Sequence, residues 1–255
     1  MKRLRNLQRF FRILVLAFMV IGVLAPAVSA QILPKVTLGF DQAKAPEDAA
    51  VTLEIIFLVT VLTLAPSILM MMTSFTRIVI VLSFLRRALG TQTLPSNQII
   101  VGLSLFLTLF IMMPIFVKIN DNALQPYMAE KIDYKTALNE AMAPIRTFML
   151  KQVDEKDIAL FVRISKSPIP KNVDDLSNTV IIPAFITSEL KTSFIIGFIL
   201  YIPFLVIDMV VASLLMSMGM MMLPPMMISL PLKLIIFVLV DGWHLIVKEL
   251  VVSFA

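Results

Sequence analysis

The sequence predicts an all-α membrane protein: about four long hydrophobic helices in two hairpins, with a small helical extracytoplasmic domain between them. Three observations predict it. Of the 255 residues, 59% are hydrophobic and only 15% charged, and the mean hydropathy is +0.94, values that exclude an ordinary soluble domain. Apolar runs at 53–72, 99–117, 194–216 and 226–252 approach or exceed the roughly 20 residues that a helix rising about 1.5 Å per residue needs to cross a bilayer. Between the middle two, residues 118–190 hold acidic and basic groups near balance, with apolar residues at helical spacing.

Composition also narrows function. The chain has no cysteine, so neither disulfides nor thiolate chemistry is available, and its single histidine, His244, argues against a histidine metal site. Nothing in the sequence asks for a cofactor. The net charge of +5 gathers at the N-terminus and near the first apolar run, which suits membrane topology signals better than nucleic-acid binding. No phosphate loop, nucleophile elbow or His-Glu-x-x-His helix is present, so no catalytic residue is expected.

In chain order, residues 1–30 read as a cleavable secretory signal. Lys2, Arg3, Arg5, Arg9 and Arg12 form its basic region, 13–24 its apolar core, and Val28-Ser29-Ala30 its cleavage site. An anchor that stays attached is the alternative, but a core of about 12 residues is short for a span. Residues 31–50, polar and holding Pro34 and Pro46, are expected to be a loosely ordered outer tail. The first hairpin, 51–117, opens at Glu54 and meets Pro66, where a kink or break is expected. Arg86 and Arg87, beside Gly90 and Pro95, mark the inner side by the positive-inside rule. Arg77 lies deeper in the same apolar run, and it is expected to snorkel to the headgroups rather than form a buried ion pair with a membrane acid.

In 118–190, Leu138, Met142, Ile145, Met149 and Val153 predict an amphipathic helix, and Asp154, Glu155 and Asp157 read as first-turn acids of the next one. The carboxylates of this segment read as a solvated helical surface rather than acid/base pairs.

The C-terminal hairpin, 191–255, carries the oddest stretch. Its uncharged turn holds Met218, Met220, Met221, Met222, Met226 and Met227, six of the 18 methionines. Gly219 and Pro224-Pro225 break the helix on both sides, so Met220, Met221 and Met222 should sit in non-helical backbone. Two readings of this turn stay open: soft side chains that close a narrow passage and can move aside, or a hydrophobic tip resting among headgroups. Each flanking run carries one carboxylate, Asp208 and Asp241; an acid inside an apolar span costs about 3 kcal/mol, so it is expected to be a buried partner or part of a pathway. In the last run Lys233, Asp241, His244 and Lys248 fall on one helical stripe, with Phe237 in the gap. Such a stripe faces protein or water, not lipid. Ser193 and Gly197, like Ser213 and Ser217, are small residues four apart that let helices approach closely. Both patterns predict tight helix assembly and, with it, oligomerisation. Trp243 is expected to be an interface anchor.

Several motifs are long enough to carry a resemblance. Phe75-Thr-Arg-Ile-Val-Ile-Val-Leu-Ser-Phe-Leu-Arg, Leu94-Pro-Ser-Asn-Gln, Pro183-Ala-Phe-Ile-Thr-Ser-Glu-Leu-Lys, Ile202-Pro-Phe-Leu-Val-Ile-Asp-Met-Val-Val-Ala-Ser, Met218-Gly-Met-Met-Met-Leu-Pro-Pro and Pro231-Leu-Lys-Leu-Ile-Ile-Phe-Val-Leu-Val-Asp-Gly-Trp resemble the FliP family of flagellar biosynthetic proteins, from about residue 53 to the C-terminus. One departure is Ser193-Phe-Ile-Ile-Gly, where Ile195 replaces a glutamine of the family pattern. The resemblance implies a core channel subunit of the flagellar type III protein export gate, in the bacterial inner membrane at the flagellar basal body. It implies a ring of copies joined to FliQ-like and FliR-like partners and other export-apparatus proteins, passing unfolded rod, hook and filament subunits. It also implies that the methionine loop acts as a gasket, here Met220, Met221 and Met222, and that much of the apolar helix is lifted out of the bilayer into the assembly.

Three other readings compete with it. An injectisome export-gate homologue would share these motifs. A proton-coupled small-solute transporter using Asp208 and Asp241 predicts matching broken helices in two similar halves, which the sequence lacks. An intramembrane aspartic protease is opposed by Asp241-Gly-Trp, which lacks the glycine pattern before its acid.

Overall fold

In a computed structural model, the structure describes residues 46–91, 93–165, 170, 172–220 and 223–254. The expected signal, 1–30, and most of the polar tail lie outside the described residues. Among the described residues all regular structure is helical, with no strand. Residues 46–55 are helical and belong to an N-terminal unit; residues from 56 onward form a second unit, which holds both the core and the candidate site.

Helix α1, Pro46–Met71, keeps Pro66 inside it and continues past it. A proline removes one backbone hydrogen bond, and an apolar run offers the chain no better arrangement than to stay helical around it. A short turn at 72–74 leads to α2, Phe75–Ala88, whose residues Ile78, Val81, Leu82, Leu85 and Ala88 recur at helical spacing and are all buried. After a connection that includes a cis Leu94–Pro95 bond, α3 runs Asn97–Ile119. Arg86 braces that connection, donating from Nη1 to Asn97 Oδ1 at 2.6 Å and to the Pro95 carbonyl at 3.3 Å.

A π-helical turn, Asn120–Leu124, and the short α4, Gln125–Met128, extend α3 to 32 continuous residues. Helix α5, Tyr134–Gln152, is the predicted amphipathic helix: Phe148 and Met149 are buried, Met142 and Ile145 pack against the core, and Leu138 stays exposed. Helix α6, Glu155–Ser165, begins with Glu155 and Asp157 in its first turn, and the Lys156 N–H donates to Asp154 Oδ1 at 3.1 Å.

Helix α7, Asn178–Ser217, organises the rest. It is 40 residues long, or about 60 Å at 1.5 Å per residue, and α2, α5, α6 and the next helix all pack on it. The helix starts well before residue 191, so the sequence boundary at 190 falls inside it. Pro183 and Pro203 are accommodated in its length. Helix α8, Pro225–Leu239, and α9, Gly242–Val252, divide the expected last run 226–252, with a 65° bend between them. Two described helical segments, 97–128 and 178–217, are long and apolar enough to cross a membrane; the bent α8–α9 pair makes a third if counted as one span.

Close packing of α2 on α7 depends on Gly197. A Cβ there would lie 2.6 Å from Phe84 Cγ, inside contact distance. Of the small residues four apart, Ser193 and Gly197 are therefore used within the chain, whereas Ser213 and Ser217 are exposed and bond to their own helix carbonyls.

Candidate functional site

Two buried polar clusters and one apolar turn stand out. The first cluster centres on Arg77 in the first turn of α2. It does not snorkel: it is 3% exposed, and its partner Glu189 on α7 is fully buried. Arg77 Nε donates to Glu189 Oε2 at 2.9 Å and Nη2 donates to Glu189 Oε1 at 2.5 Å. Nη2 also donates to Gln152 Oε1 at 3.0 Å, and Nη1 to the Ser253 carbonyl at 2.8 Å and Ser253 Oγ at 3.1 Å. All five guanidinium N–H groups are thus used. The Phe254 ring covers the Arg77 Cζ at 3.9 Å, and Gln152 Nε2 donates to the Phe254 carbonyl at 3.3 Å. Expectation fails here because snorkelling is an answer to lipid, and this arginine is surrounded by protein that supplies a bidentate carboxylate and three further acceptors.

Glu189 is the residue that sequence reasoning missed. The signal was there: it is the only acid between Asp175 and Asp208, immediately before a long apolar run.

The second cluster joins Asp208 of α7 to α8. Ser229 Oγ donates to Asp208 Oδ1 and Lys233 Nζ to Oδ2, both at 2.6 Å; Lys233 Nζ also donates to the Ala88 carbonyl at 3.1 Å, at the end of α2. Lys233 is buried, while the Asp208 side chain is 31% exposed. Three helices therefore meet on one ammonium.

Asp241 does not join them. It is exposed at the α8–α9 bend with left-handed backbone, φ 50° and ψ 51°. Aspartate tolerates that region better than most residues. Gly242 follows because nothing larger fits: a Cβ would lie 2.3 Å from the Phe237 ring, which itself meets Trp243 edge-on at 5.5 Å between centroids. The bend interrupts the expected stripe. Lys233 turns inward to Asp208, whereas Asp241, His244 and Lys248 are exposed.

The turn between α7 and α8 ends α7 with a Schellman arrangement. Gly219 takes φ 73°, its N–H donates to the Met216 carbonyl at 3.1 Å, and the Met220 N–H donates to the Leu215 carbonyl at 3.0 Å. Pro224 and Pro225 then start α8, where a missing N–H does no harm. Met220 is placed in this non-helical turn and half-buried; Met218, Met226 and Met227 are exposed. Met221 and Met222 lie outside the described residues.

The FliP family model matches residues 58–250, which takes in both polar clusters except Ser253 and Phe254, and the whole methionine turn. The chain belongs to the FliP family. Among its relatives is the flagellar biosynthetic protein FliP of Bacillus subtilis, 56% identical over 209 residues, covering 82% of this chain and 95% of that protein. The flagellar biosynthetic protein FliP of Caulobacter vibrioides is 48% identical over 249 residues, 98% of this chain and 92% of its own length. That of Aquifex aeolicus is 49% identical over 205 residues, 80% and 86% respectively. Within the FliP family region, the described helices set an uncharged methionine turn at one end of α7 and a buried arginine–glutamate pair near the other.

Proposed function

We propose that this chain is the core channel subunit of a flagellar type III protein export gate, seated in the bacterial inner membrane at the flagellar basal body. Copies of it form a ring with FliQ-like and FliR-like subunits, and unfolded rod, hook and filament proteins pass through. Its four hydrophobic segments work as two hairpins, and the intervening helices face the outer side. The observation that carries this reading is kinship: relatives 48–56% identical, over at least 80% of the chain, bear the name flagellar biosynthetic protein.

The turn supports the gating part. Its backbone leaves the helix through Gly219 and α8 begins at Pro225, and the sequence between them is uncharged and rich in the unbranched side chain of methionine. Met220, Met221 and Met222 of neighbouring copies would meet there as a gasket that seals by contact and yields to a passing chain. The subunit is not an enzyme in this reading, and energy for export comes from other components. Asp208, engaged by Lys233 and Ser229, acts as a helix tie rather than a proton carrier.

Deleting the gene in its host and assaying the culture medium tests the reading. Hook and filament proteins should vanish from the medium while remaining in cells, and the whole chain should restore them. Normal export and motility in the deletion strain would refute it. Replacing Met220, Met221 and Met222 together with alanine should raise resting ion conductance; an unchanged conductance would sink the gasket while leaving the export role standing.

A further inference from the structure

A cleft of about 400 Å³ opens beside the C-terminal end of α3, against the C-terminal half of α5. Its floor is apolar, built by Ile111 and Ile115 of α3 and Phe148 of α5. Its rim is cationic. Lys118 lies in the last turn of α3 and Lys151 in the last turn of α5, so two helices of separate origin bring one ammonium each to the same opening. The dipole of α5 accounts for Lys151, but the helix continues past Lys118 to residue 128, so a helix end explains neither Lys118 nor the convergence of the two lysines on one cleft. Glu140 is the single carboxylate of the lining, which leaves one positive charge in excess. None of the three takes part in the described ion pairs, and all three are exposed.

The neighbouring backbone is unusual as well. Two residues on from Lys118 the helix widens into the π-helical turn Asn120–Leu124, and Asn122 lines the cleft. Single π turns recur at functional sites.

We propose that this cleft binds an anionic phospholipid, with the phosphate between Lys118 and Lys151 and an acyl chain along Ile111 and Ile115. Charge and shape both select this occupant. A basic pocket at the end of an apolar span, with a greasy wall continuous with that span, matches an amphiphile with a negative head. The inference is independent of the export role.

The test uses the full-length protein purified in a neutral detergent, with native mass spectrometry reading bound lipid. Phosphatidylglycerol should be retained in preference to phosphatidylcholine. At roughly 1 kcal/mol per lysine, Lys118→Gln or Lys151→Gln should weaken the preference about fivefold, and both together about thirtyfold. Glu140→Gln should keep or strengthen it. No preference in the wild-type protein would overturn the proposal, as would full retention by the double variant. Competition by inorganic phosphate as effective as that by phosphatidylglycerol would mean an anion site without a lipid chain, and would also overturn it. Should the double variant fail to fold, hydrogen exchange of wild-type 111–122 and 140–151 decides. Protection that rises with phosphatidylglycerol and not with phosphatidylcholine supports the lipid; protection that tracks protein concentration alone assigns the cleft to a second copy and overturns the lipid.

Discussion

The two polar clusters make an instructive pair, because each ties α2 to α7 and they do it differently. At the Arg77 end both charges are buried, and every guanidinium donor has an acceptor. At the Asp208 end the lysine is buried but its carboxylate is 31% exposed, and one of the lysine's two acceptors is a main-chain carbonyl. The first is a sealed joint whose parts fail together. The second is open to solvent or to a neighbouring chain on one side, and lies closer along α7 to the methionine turn. Burial, not the number of charges, decides how much each costs to break.

The sharpest way to break the comparison is to remove one partner from each joint. Glu189→Ala leaves an arginine buried without its counter-charge, and should destabilise the folded protein by about 3–5 kcal/mol, read as lost thermal stability in detergent or as failed accumulation. Replacing Arg77 and Glu189 together with methionine should recover much of that loss. If the double variant is as unstable as the single one, buried charge is not what governs this joint.

At the other end Lys233→Met should cost less, about 1–2 kcal/mol, because the orphaned Asp208 can still reach water and Ser229. A loss equal to that of Glu189→Ala would erase the distinction between the clusters.

Gly242→Ala tests the bend that keeps Asp241 out of the second cluster. Its Cβ would overlap the Phe237 ring, for an expected loss of about 1–3 kcal/mol that Phe237→Leu should relieve in part. One position earlier, Asp241→Gly should stabilise by about 1 kcal/mol, since glycine takes left-handed backbone without strain, and Asp241→Leu should do the reverse. Both are read from thermal unfolding; an indifferent Asp241→Gly would mean the aspartate carries no strain there.

The smallest effect belongs to the exposed pair between Asp154 and Lys191, 2.8 Å apart with both side chains more than a third exposed. The hydrogen bond from Lys191, helped by the Lys156 N–H, holds Asp154 below its ordinary value of 3.8. Its folded pKa is depressed, so its contribution is complete above that ordinary value and disappears as pH falls through the lowered one. Asp154→Asn should leave stability at neutral pH nearly unchanged and remove this part of the acid dependence, an effect that added salt should mask.

Much of this architecture is legible along the chain. Helical class comes from the long apolar runs, since a backbone in an apolar setting must satisfy its hydrogen bonds within a segment. The amphipathic α5 is legible from Met142, Ile145 and Met149, because periodicity is a local property. The methionine turn is legible from Gly219 and the proline pair, whose backbone limits act at their own positions. Partnership is another matter. Arg77 meets Glu189 across 112 positions and Ser253 across 176, and nothing near Arg77 in sequence distinguishes a sealed ion pair from a snorkelling side chain. The stripe of Lys233, Asp241, His244 and Lys248 reads as one face only while the helix is straight, and the 65° bend at Asp241 ends that. Residue order alone dictates which segments are helical, apolar and interrupted, because those properties arise between neighbours a few residues apart. Which charges are buried, and with whom, was settled by packing: pair energies depend on distance and on excluded water, and both are set by segments that chain order keeps far apart.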